Sequence, residues 1–373
     1  MQKLLNKAAV AEALTLNGLT QKELAERLDV SPQAITNWMK GKDFPRPAAL
    51  LKLAAALRLT FDQLTVSQNE GRPIVAFRKK GNAKTTAAHI AKAEAIGLLL
   101  RPLVPYLSEI QALRPLITSP GTDYQRLQTI VAQTRKHLGL GESAVLRYEH
   151  LIGEFNRAGA ILVPVLWGNK QRHENALHIR LPQEDVTFIF LNLDTRIEDF
   201  KFWMAHELAH VYTPDWTGQD KGEDFADAFA GALLFPEACA APLYDEAKGQ
   251  PQRDALHRLQ AQAHHHSISL NTVFQQVQHY AQAKGYDPLP LRDKDIHVVR
   301  TSRSGPLITE ALFEPAPPAP DRYLAACEHS FQSDFFNGLR RMIHEQGTGV
   351  GYLQQVLDIA PLDAKALYEE LAR

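Results

Sequence analysis

Five polar side chains within 22 residues have the types and spacing of a hydrolytic metal site. His206 and His210 enclose Glu207 in the stretch FWMAHELAH, and Glu223 and Asp227 follow in GEDFADAFAGALLFP. On a helix, residues four apart share one face, so both imidazoles can reach one ion. A hydrolytic zinc site takes three protein ligands and keeps a fourth position for water. The pattern therefore predicts a Zn2+ centre, although a bare His-Glu-x-x-His also arises by chance.

Each of these side chains can be given a role. Glu223 would be the third ligand. Asp227, four residues further on the same helical face, would accept the second ring N–H of a ligating histidine. Glu207 lies one step from the ligand face and can address the metal's open position. Two alternatives stay open: His206 and His210 could be core histidines bonded to backbone, or Glu207 could belong to a zinc-binding sensor that hydrolyses nothing.

The same segments resemble the ImmA/IrrE family of metallopeptidase-like proteins, also known as the M78 peptidases, over roughly residues 145–285. That family has His-Glu-x-x-His, then a Glu, then Ala-Asn/Asp, Phe-Ala and Leu-Leu-x-Pro. The matching positions here are Ala226-Asp227, Phe229-Ala230 and Leu233-Leu234-Phe235-Pro236. By motif, the resemblance implies the zinc ligands His206, His210 and Glu223, with Glu207 as general base. It also implies a protein substrate of narrow range, such as a repressor.

The elements that would position these residues follow from periodicity. After a helix at about 149–158 come three strand candidates, AILVPVLW, NALHIRLP and DVTFIFLNLD, rich in apolar and β-branched residues. The period then becomes helical in RIEDFKFWMAHELAHVY. A small antiparallel sheet followed by the helix with His206 and His210 is the layout of a zincin. The strand TFIFLNL, directly before that helix, could hold an extended substrate by strand addition.

A second functional segment lies near the N-terminus. Thr20 and Glu23 form a capping box that opens QKELAERL, and Ser31 with Pro32 opens PQAITNWMK after a tight turn at Asp29. Short helices before and after this pair bring the predicted number to five. Two short helices joined by a tight turn describe a helix-turn-helix.

The stretch LTQKELAERLDVSPQAITNWMKGKDFP resembles the Cro/C1 repressor-type (XRE family) DNA-binding domain, with Asp29 where a Gly often occupies the turn. In that docking mode the second helix of the motif lies in the major groove of double-stranded DNA. Its outward residues would meet base edges, and flanking residues would contact phosphates. The base-reading candidates are Gln33, Thr36 and Asn37, and the phosphate candidates are Gln21, Lys40, Lys42 and Arg46. A helical bundle that uses the same fold for protein contacts is the alternative.

Composition restricts the class of protein. The chain has 373 residues, 45% hydrophobic and 22% charged, with two cysteines and no apolar run of transmembrane length. These values favour a cytoplasmic protein without a disulfide framework and without a membrane partner. Net charge is −1, but residues 1–80 carry 13 Lys/Arg against 7 Asp/Glu. The N-terminal end is therefore the one expected to meet a polyanion.

Three further patterns could carry chemistry, but spacing does not select them. Tyr212 and His173 are candidate oxyanion stabilisers. The tract His264-His265-His266 could bind a metal, although a solvated helix end is the favoured interpretation. Cys239 and Cys327 lack partners at ligand spacing and are interpreted as core thiols.

The chain is therefore predicted to be α+β and mainly helical, in four parts. They are a helix-turn-helix domain at 1–68, a helical connector at 69–144, a zinc metallopeptidase domain at 145–299, and a linker with a helical C-terminal region at 300–373. The predicted function is a transcription regulator that binds a DNA operator, with a homodimer as one open arrangement, and hydrolyses a specific protein. The alternatives are a catalytically inactive zinc sensor and an antitoxin-like repressor, in which the second domain binds a ligand or partner.

Overall fold

The structure, a computed structural model, describes residues 3–40, 43–67, 71–79, 86–108, 115–167, 174–292, 294–296 and 305–373. The chain divides into two compact units, Met1–Arg72 and Pro73–Arg373. The boundaries predicted near residues 144 and 299 fall inside the second unit and stay predictions. Among the described residues, no helix has both the length and the apolar character needed to cross a bilayer.

The N-terminal unit is a small helical domain closed by two short strands. Its described elements are β1 Lys3–Leu5, α1 Lys7–Leu16, α2 Gln21–Leu28, α3 Pro32–Lys40, α4 Pro47–Leu57, α5 Phe61–Leu64 and β2 Thr65–Ser67. The strands β1 and β2 pair antiparallel, a contact that the sequence did not predict. The predicted N-terminal helix-turn-helix of several helices is confirmed.

Local chemistry sets the ends of α2. The Glu23 amide donates to the Thr20 hydroxyl, and the Thr20 amide donates to the Glu23 carboxylate at 2.8 Å, so a capping box begins the helix. Asp29 ends the helix in the left-handed conformation, with φ of 56°. Leu24 and Ile35 are buried beneath the turn. The helix-turn-helix therefore has a dry core under an exposed second helix.

The second unit combines helices with one small sheet. Its described elements are β3 Ile74–Lys79, α6 Ala87–Leu100, a 3-10 helix Arg101–Tyr106, α7 Tyr124–His137, α8 Tyr148–Arg157, β4 Ala160–Val165, β5 Glu174–Leu181, β6 Val186–Asn192, α9 Ile197–Tyr212, α10 Asp220–Leu234, α11 Glu237–Ala247, α12 Gln252–His266, α13 Leu270–Lys284, α14 Ile308–Leu312, α15 Pro320–His329, α16 Phe335–Gln346, α17 Val350–Leu357 and α18 Pro361–Leu371. Buried side chains from Ala93 to Leu371 form one continuous core. The mainly helical α+β class is confirmed.

The sheet is mixed, so the prediction of an antiparallel sheet was wrong in this respect. Its order is β3-β5-β6-β4, in which β4 and β6 are parallel and the other neighbours are antiparallel. The reason is topological. The hairpin β5–β6 returns the chain in the direction of β4, and β6 then lies between β5 and β4, so its pairing with β4 must be parallel.

This strand order also overturns the suggested strand addition on TFIFLNL. That segment is β6, and β6 has β5 on one side and β4 on the other. Its backbone therefore has no open edge for a substrate. The outer side of β4 is engaged as well, because the hydroxyls of Tyr323 and Ser333 donate to the carbonyls of Pro164 and Leu162.

Candidate metal centre and nucleic-acid interface

The helix α9 carries its polar residues into the interior of the second unit. It packs on β5 and β6 and is covered by α10. A helix enclosed in this way has no solvent-facing stripe. His206, Glu207 and His210 are each 0% exposed. Buried groups of this kind are costly unless they pair with each other or with a metal.

Glu223, near the start of α10, completes a cluster with the two histidines. Gly222 precedes it and allows a close approach of the chain, because a Cβ there would lie 2.1 Å from the carbonyl oxygen of Trp216 in the loop after α9. The Glu223 side chain is 24% exposed, unlike those of His206 and His210. The cluster therefore opens to solvent on the α10 side.

The three side chains present donor atoms at close range. The Nε2 atoms of His206 and His210 lie 3.1 Å apart, and each lies 3.3 Å from a carboxylate oxygen of Glu223. Zinc binds nitrogen and oxygen at about 2.0–2.2 Å, so two ligand atoms of a tetrahedral site lie about 3.3–3.5 Å apart. The two contacts of Glu223 involve different oxygens, Oε2 beside His206 and Oε1 beside His210, so the carboxylate faces both rings at a range close to that of such a site. Among the described residues, these three form a group that could hold a metal ion.

Asp227 lies behind His206. Its Oδ1 is 3.0 Å from Nδ1 of that ring, the position of an acceptor that fixes a ligand's tautomer. Burial alone lowers the pKa of His206, but hydrogen bonds to Asp227 and Glu223 outweigh burial and raise that pKa to about 9. For Glu223, burial raises the pKa, but hydrogen bonds from His206 and His210 outweigh it and hold that pKa well below its usual range.

Glu207 has a fully buried carboxylate beside the cluster. Both of its carboxylate oxygens are buried and accept no hydrogen bond from the described residues. Burial raises the pKa of Glu207, and the neighbouring His206 and His210 offset only part of that shift. Burial likewise lowers the pKa of His210, which favours a neutral ring. A buried carboxylate with a raised pKa beside a ligand cluster is typical of proton-transfer sites.

His178 was missed by sequence reasoning. It lies on β5, is 1% exposed, and has Nδ1 3.3 Å from Oε2 of Glu207. Its ring meets the His210 ring edge to face, with centroids 5.7 Å apart. The available signal was a single histidine inside the apolar strand NALHIRLP. A local pattern cannot say which helix such a strand residue faces.

The other singled-out residues lie elsewhere or are engaged. Tyr212 donates its hydroxyl to Glu154 at 2.7 Å. His173 lies outside the described residues. In the histidine tract at the end of α12, His264 and His265 are exposed, whereas the buried ring of His266 packs against Phe235. Cys239 and Cys327 are buried free thiols.

The outward face of α3 carries a row of polar side chains in the N-terminal unit. Gln33 Nε2 donates to Asn37 Oδ1 at 3.0 Å, and Asn37 Nδ2 donates to Asp43 Oδ2 at 3.2 Å. Thr36, between them, donates to the carbonyl of Pro32. These contacts hold the amides of Gln33 and Asn37 in one orientation on the surface. Amides of this kind can pair with adenine in the major groove.

The candidate phosphate contacts surround this row. Gln21 is the exposed first residue of α2, Lys40 is the exposed last residue of α3, and Arg46 is exposed directly before α4. Lys42 lies outside the described residues. Two helix starts and the end of α3 thus supply polar or cationic groups around the row, as backbone contact with DNA requires.

The family match to known proteins lies within the N-terminal unit. The helix-turn-helix family model matches residues 10–64, which run from α1 to the end of α5. A search of curated proteins finds no match. Among solved structures, one similar chain belongs to the crystal structure of Bacillus thuringiensis PlcR in complex with the peptide PapR7 and DNA. It has 12% identity and a TM-score of 0.15, with 82% of this chain and 94% of that chain covered. A TM-score that low establishes no shared fold. Residues 10–64 are therefore identified as a helix-turn-helix domain.

Proposed function

We propose that this helix-turn-helix protein is a transcription regulator whose second unit is a zinc-dependent endopeptidase acting on a specific protein. The observation that supports the hydrolytic part is the convergence of His206, His210 and Glu223, with ligand atoms 3.1–3.3 Å apart, beside the buried carboxylate of Glu207. The resemblance of these segments to the ImmA/IrrE family supports the same function. DNA recognition would lie on α3, through Gln33, Thr36 and Asn37.

Each residue of the cluster has a chemical role in this proposal. His206, His210 and Glu223 would hold the zinc, and Asp227 would orient the His206 ring. A zinc ion bound there would polarise the scissile carbonyl and acidify a water molecule. Glu207 would take a proton from the attacking water and deliver it to the leaving amine. Burial raises the pKa of Glu207, which makes the carboxylate a stronger base for taking the proton.

The approach of a substrate follows from the burial pattern. The strand β6 offers no free edge, whereas the side chains of Glu223 and Asp227 on α10 are 24% and 31% exposed. A peptide would therefore reach the cluster from the side of α10.

The burial of Glu207 also supports the alternative function, a zinc-binding sensor that hydrolyses nothing. Since Glu207 is 0% exposed, a cluster that holds zinc could serve as a ligand-responsive element without cutting a peptide. In that case the second unit would bind a ligand or partner and alter DNA affinity. Water activation by Glu207 would then be unnecessary.

The experiment that tests the proposal replaces Glu207 by Gln in the full chain. The amide keeps the size of the side chain but cannot accept the proton, and Glu207 is not a proposed ligand. We expect about one zinc per chain in both proteins. Mass spectrometry of protein N-termini in cells should find new termini with wild type and none with Glu207→Gln, because water activation is lost.

A matched control is Glu328→Gln, the same chemical change at an exposed position on α15. It should produce the same new termini as wild type. Identical termini in wild-type and Glu207→Gln cells would reject the endopeptidase function. If Glu207→Gln then also retained a normal response of the target promoter in a reporter assay, the sensor function would replace it.

A further inference from the structure

The strand β5 directs one buried histidine toward the zinc-binding helix. Its residues alternate between two faces. Ile179 contacts the opposite layer, because a Cβ on Gly97 of α6 would lie 3.0 Å from its Cγ2 atom. His178 therefore faces the other way, toward α9, where it meets Glu207 and His210. Cross-strand neighbours Ala76 and Ile189 hold it in register from both sides.

The contact between His178 and Glu207 takes place away from water. Each side chain is 1% exposed, and Nδ1 of His178 lies 3.3 Å from Oε2 of Glu207. The distance is within reach of a hydrogen bond, but the two groups are not aligned for one in this geometry, so the contact is a close approach. Catalytic hydrogen bonds are commonly long in the resting state and shorten when the site is filled. His178, as the Nδ1–H tautomer, would donate to the carboxylate once the two side chains align in the filled site.

A buried general base needs such a partner. The described residues give the two carboxylate oxygens of Glu207 no hydrogen bond, and several rotamers of a glutamate can point away from the ligand cluster. A misplacement of about 1 Å can cost about a hundredfold in rate. A donor fixed on a sheet strand restricts the carboxylate, since the strand's backbone is held on both sides.

We propose that His178 is a positioning residue that holds the Glu207 carboxylate at the candidate metal centre. The inference rests on the proposed function, in which Glu207 is the general base. His178 is not proposed as a ligand, because the cluster whose ligand atoms all lie within 4.8 Å of one another consists of His206, His210 and Glu223.

The test uses two amides that differ only in reach. In His178→Asn the side-chain nitrogen can occupy the place of Nδ1, the atom next to Glu207. In His178→Gln the nitrogen lies one bond further out, near the place of Nε2. Positioning through Nδ1 therefore predicts that Asn preserves the function and that Gln does not. A role in packing alone predicts the reverse, because Gln fills more of the volume of a histidine.

The first readout is the yield of new protein N-termini, with zinc content measured in parallel on the full chain. We expect about one zinc per chain in all variants. The yield should stay within about threefold of wild type for His178→Asn and fall by about tenfold to a hundredfold for His178→Gln. Equal yields for the two variants, or loss of zinc from either, would overturn the proposal.

The second readout does not depend on hydrolysis. The thermal midpoint of the zinc-loaded chain is compared for His178→Gln in the wild-type and Glu207→Gln backgrounds. If His178 and Glu207 interact, His178→Gln should lower the thermal midpoint less in the Glu207→Gln background. The carboxylate that needs the donor is absent there. Equal losses overturn the pairing. Thus, if wild type and Glu207→Gln yield the same termini, the endopeptidase fails, and the thermal cycle still decides for or against the role of His178.

Discussion

The surface of α3 and the cluster on α9 place polar side chains in opposite ways. On α3, Gln33 and Lys40 are exposed over a dry core. On α9, His206, Glu207 and His210 are fully buried. An exposed polar group is solvated in the free protein, so its loss costs little stability. A buried polar group depends on each of its partners, and removal of one partner leaves the rest unpaired.

Because of this difference, substitutions on α3 and on α9 should change different properties of the protein. A substitution on α3 should alter DNA affinity while folding stays the same. A substitution of His206 or His210 on α9 should alter metal content, pH response and stability together, because one set of contacts serves all three.

The double substitution His206→Ala/His210→Ala should remove zinc completely. Two of the three proposed ligands are lost, and Glu223 alone cannot hold the ion. Elemental analysis should therefore find about one zinc per chain in wild type and none in the variant. Operator binding should persist, since the base-reading candidates belong to the other unit.

The matched control for that experiment is His264→Ala/His265→Ala, which removes two exposed histidines from the end of α12. Its zinc content should equal that of wild type. If the control loses zinc and the α9 variant retains it, the metal site lies in the histidine tract, and the comparison between a buried and an exposed region fails.

Zinc affinity should rise with pH up to about 9. The pKa of His206 is raised to about 9, so below that pH its Nε2 must release a proton to bind the metal. His210 and Glu223 contribute no proton in this range, because the pKa of each is lowered. The apparent affinity should therefore increase about tenfold per pH unit from neutral pH to about 9 and then level off.

A chelator competition titration across this pH range measures the effect. Asp227→Asn is the informative variant, because it removes a hydrogen bond that raises the pKa of His206. Its plateau should begin at a lower pH than that of wild type. An affinity that does not change with pH in the wild-type protein contradicts the assignment of His206 as a ligand.

Substitutions on α3 should weaken operator binding by a moderate amount. Gln33→Ala and Asn37→Ala should each cost about 1–3 kcal/mol of specific binding while leaving non-specific binding intact. Lys40→Ala should weaken both kinds and reduce the salt slope by about 1. Gel-shift titrations at several salt concentrations measure these changes, with Lys7→Ala on α1 as the control lysine.

The α3 substitutions should change DNA binding without changing the stability of the fold. Thermal unfolding of the Gln33 and Asn37 variants should match wild type, because both residues lie on the outer face of α3. If all three α3 substitutions leave DNA binding unchanged, the recognition surface lies elsewhere on the N-terminal unit.

The smallest effect is expected at a helix cap. Thr20→Ala removes the hydroxyl that accepts from the Glu23 amide, and should cost about 1 kcal/mol of local stability. Faster hydrogen exchange of the amides in α2, followed by mass spectrometry, measures the loss. The control Thr15→Ala removes a hydroxyl that donates to the Ala11 carbonyl within α1, and it should not accelerate exchange. Equal effects of the two would contradict the capping argument.

The amino-acid sequence determined the features that depend on neighbouring residues. The capping box at Thr20, the turn at Asp29 and the five N-terminal helices could be predicted because caps and turns are decided within a few residues. Helical spacing likewise placed His206 with His210, and Glu223 with Asp227, each pair on one face. The proximity of the two pairs in space was inferred from chemistry, and the structure brings them together.

Tertiary structure alone decided which elements meet across the sheet. Nothing local in AILVPVLW or DVTFIFLNLD specifies that β6 lies between β5 and β4, which makes the sheet mixed and denies β6 an open edge. The same holds for His178, whose contact with Glu207 requires that β5 pack beneath α9, and for Tyr212, whose hydroxyl turns to Glu154. Such neighbours depend on how segments far apart in the chain pair and pack, and residues close in sequence carry no signal of that choice.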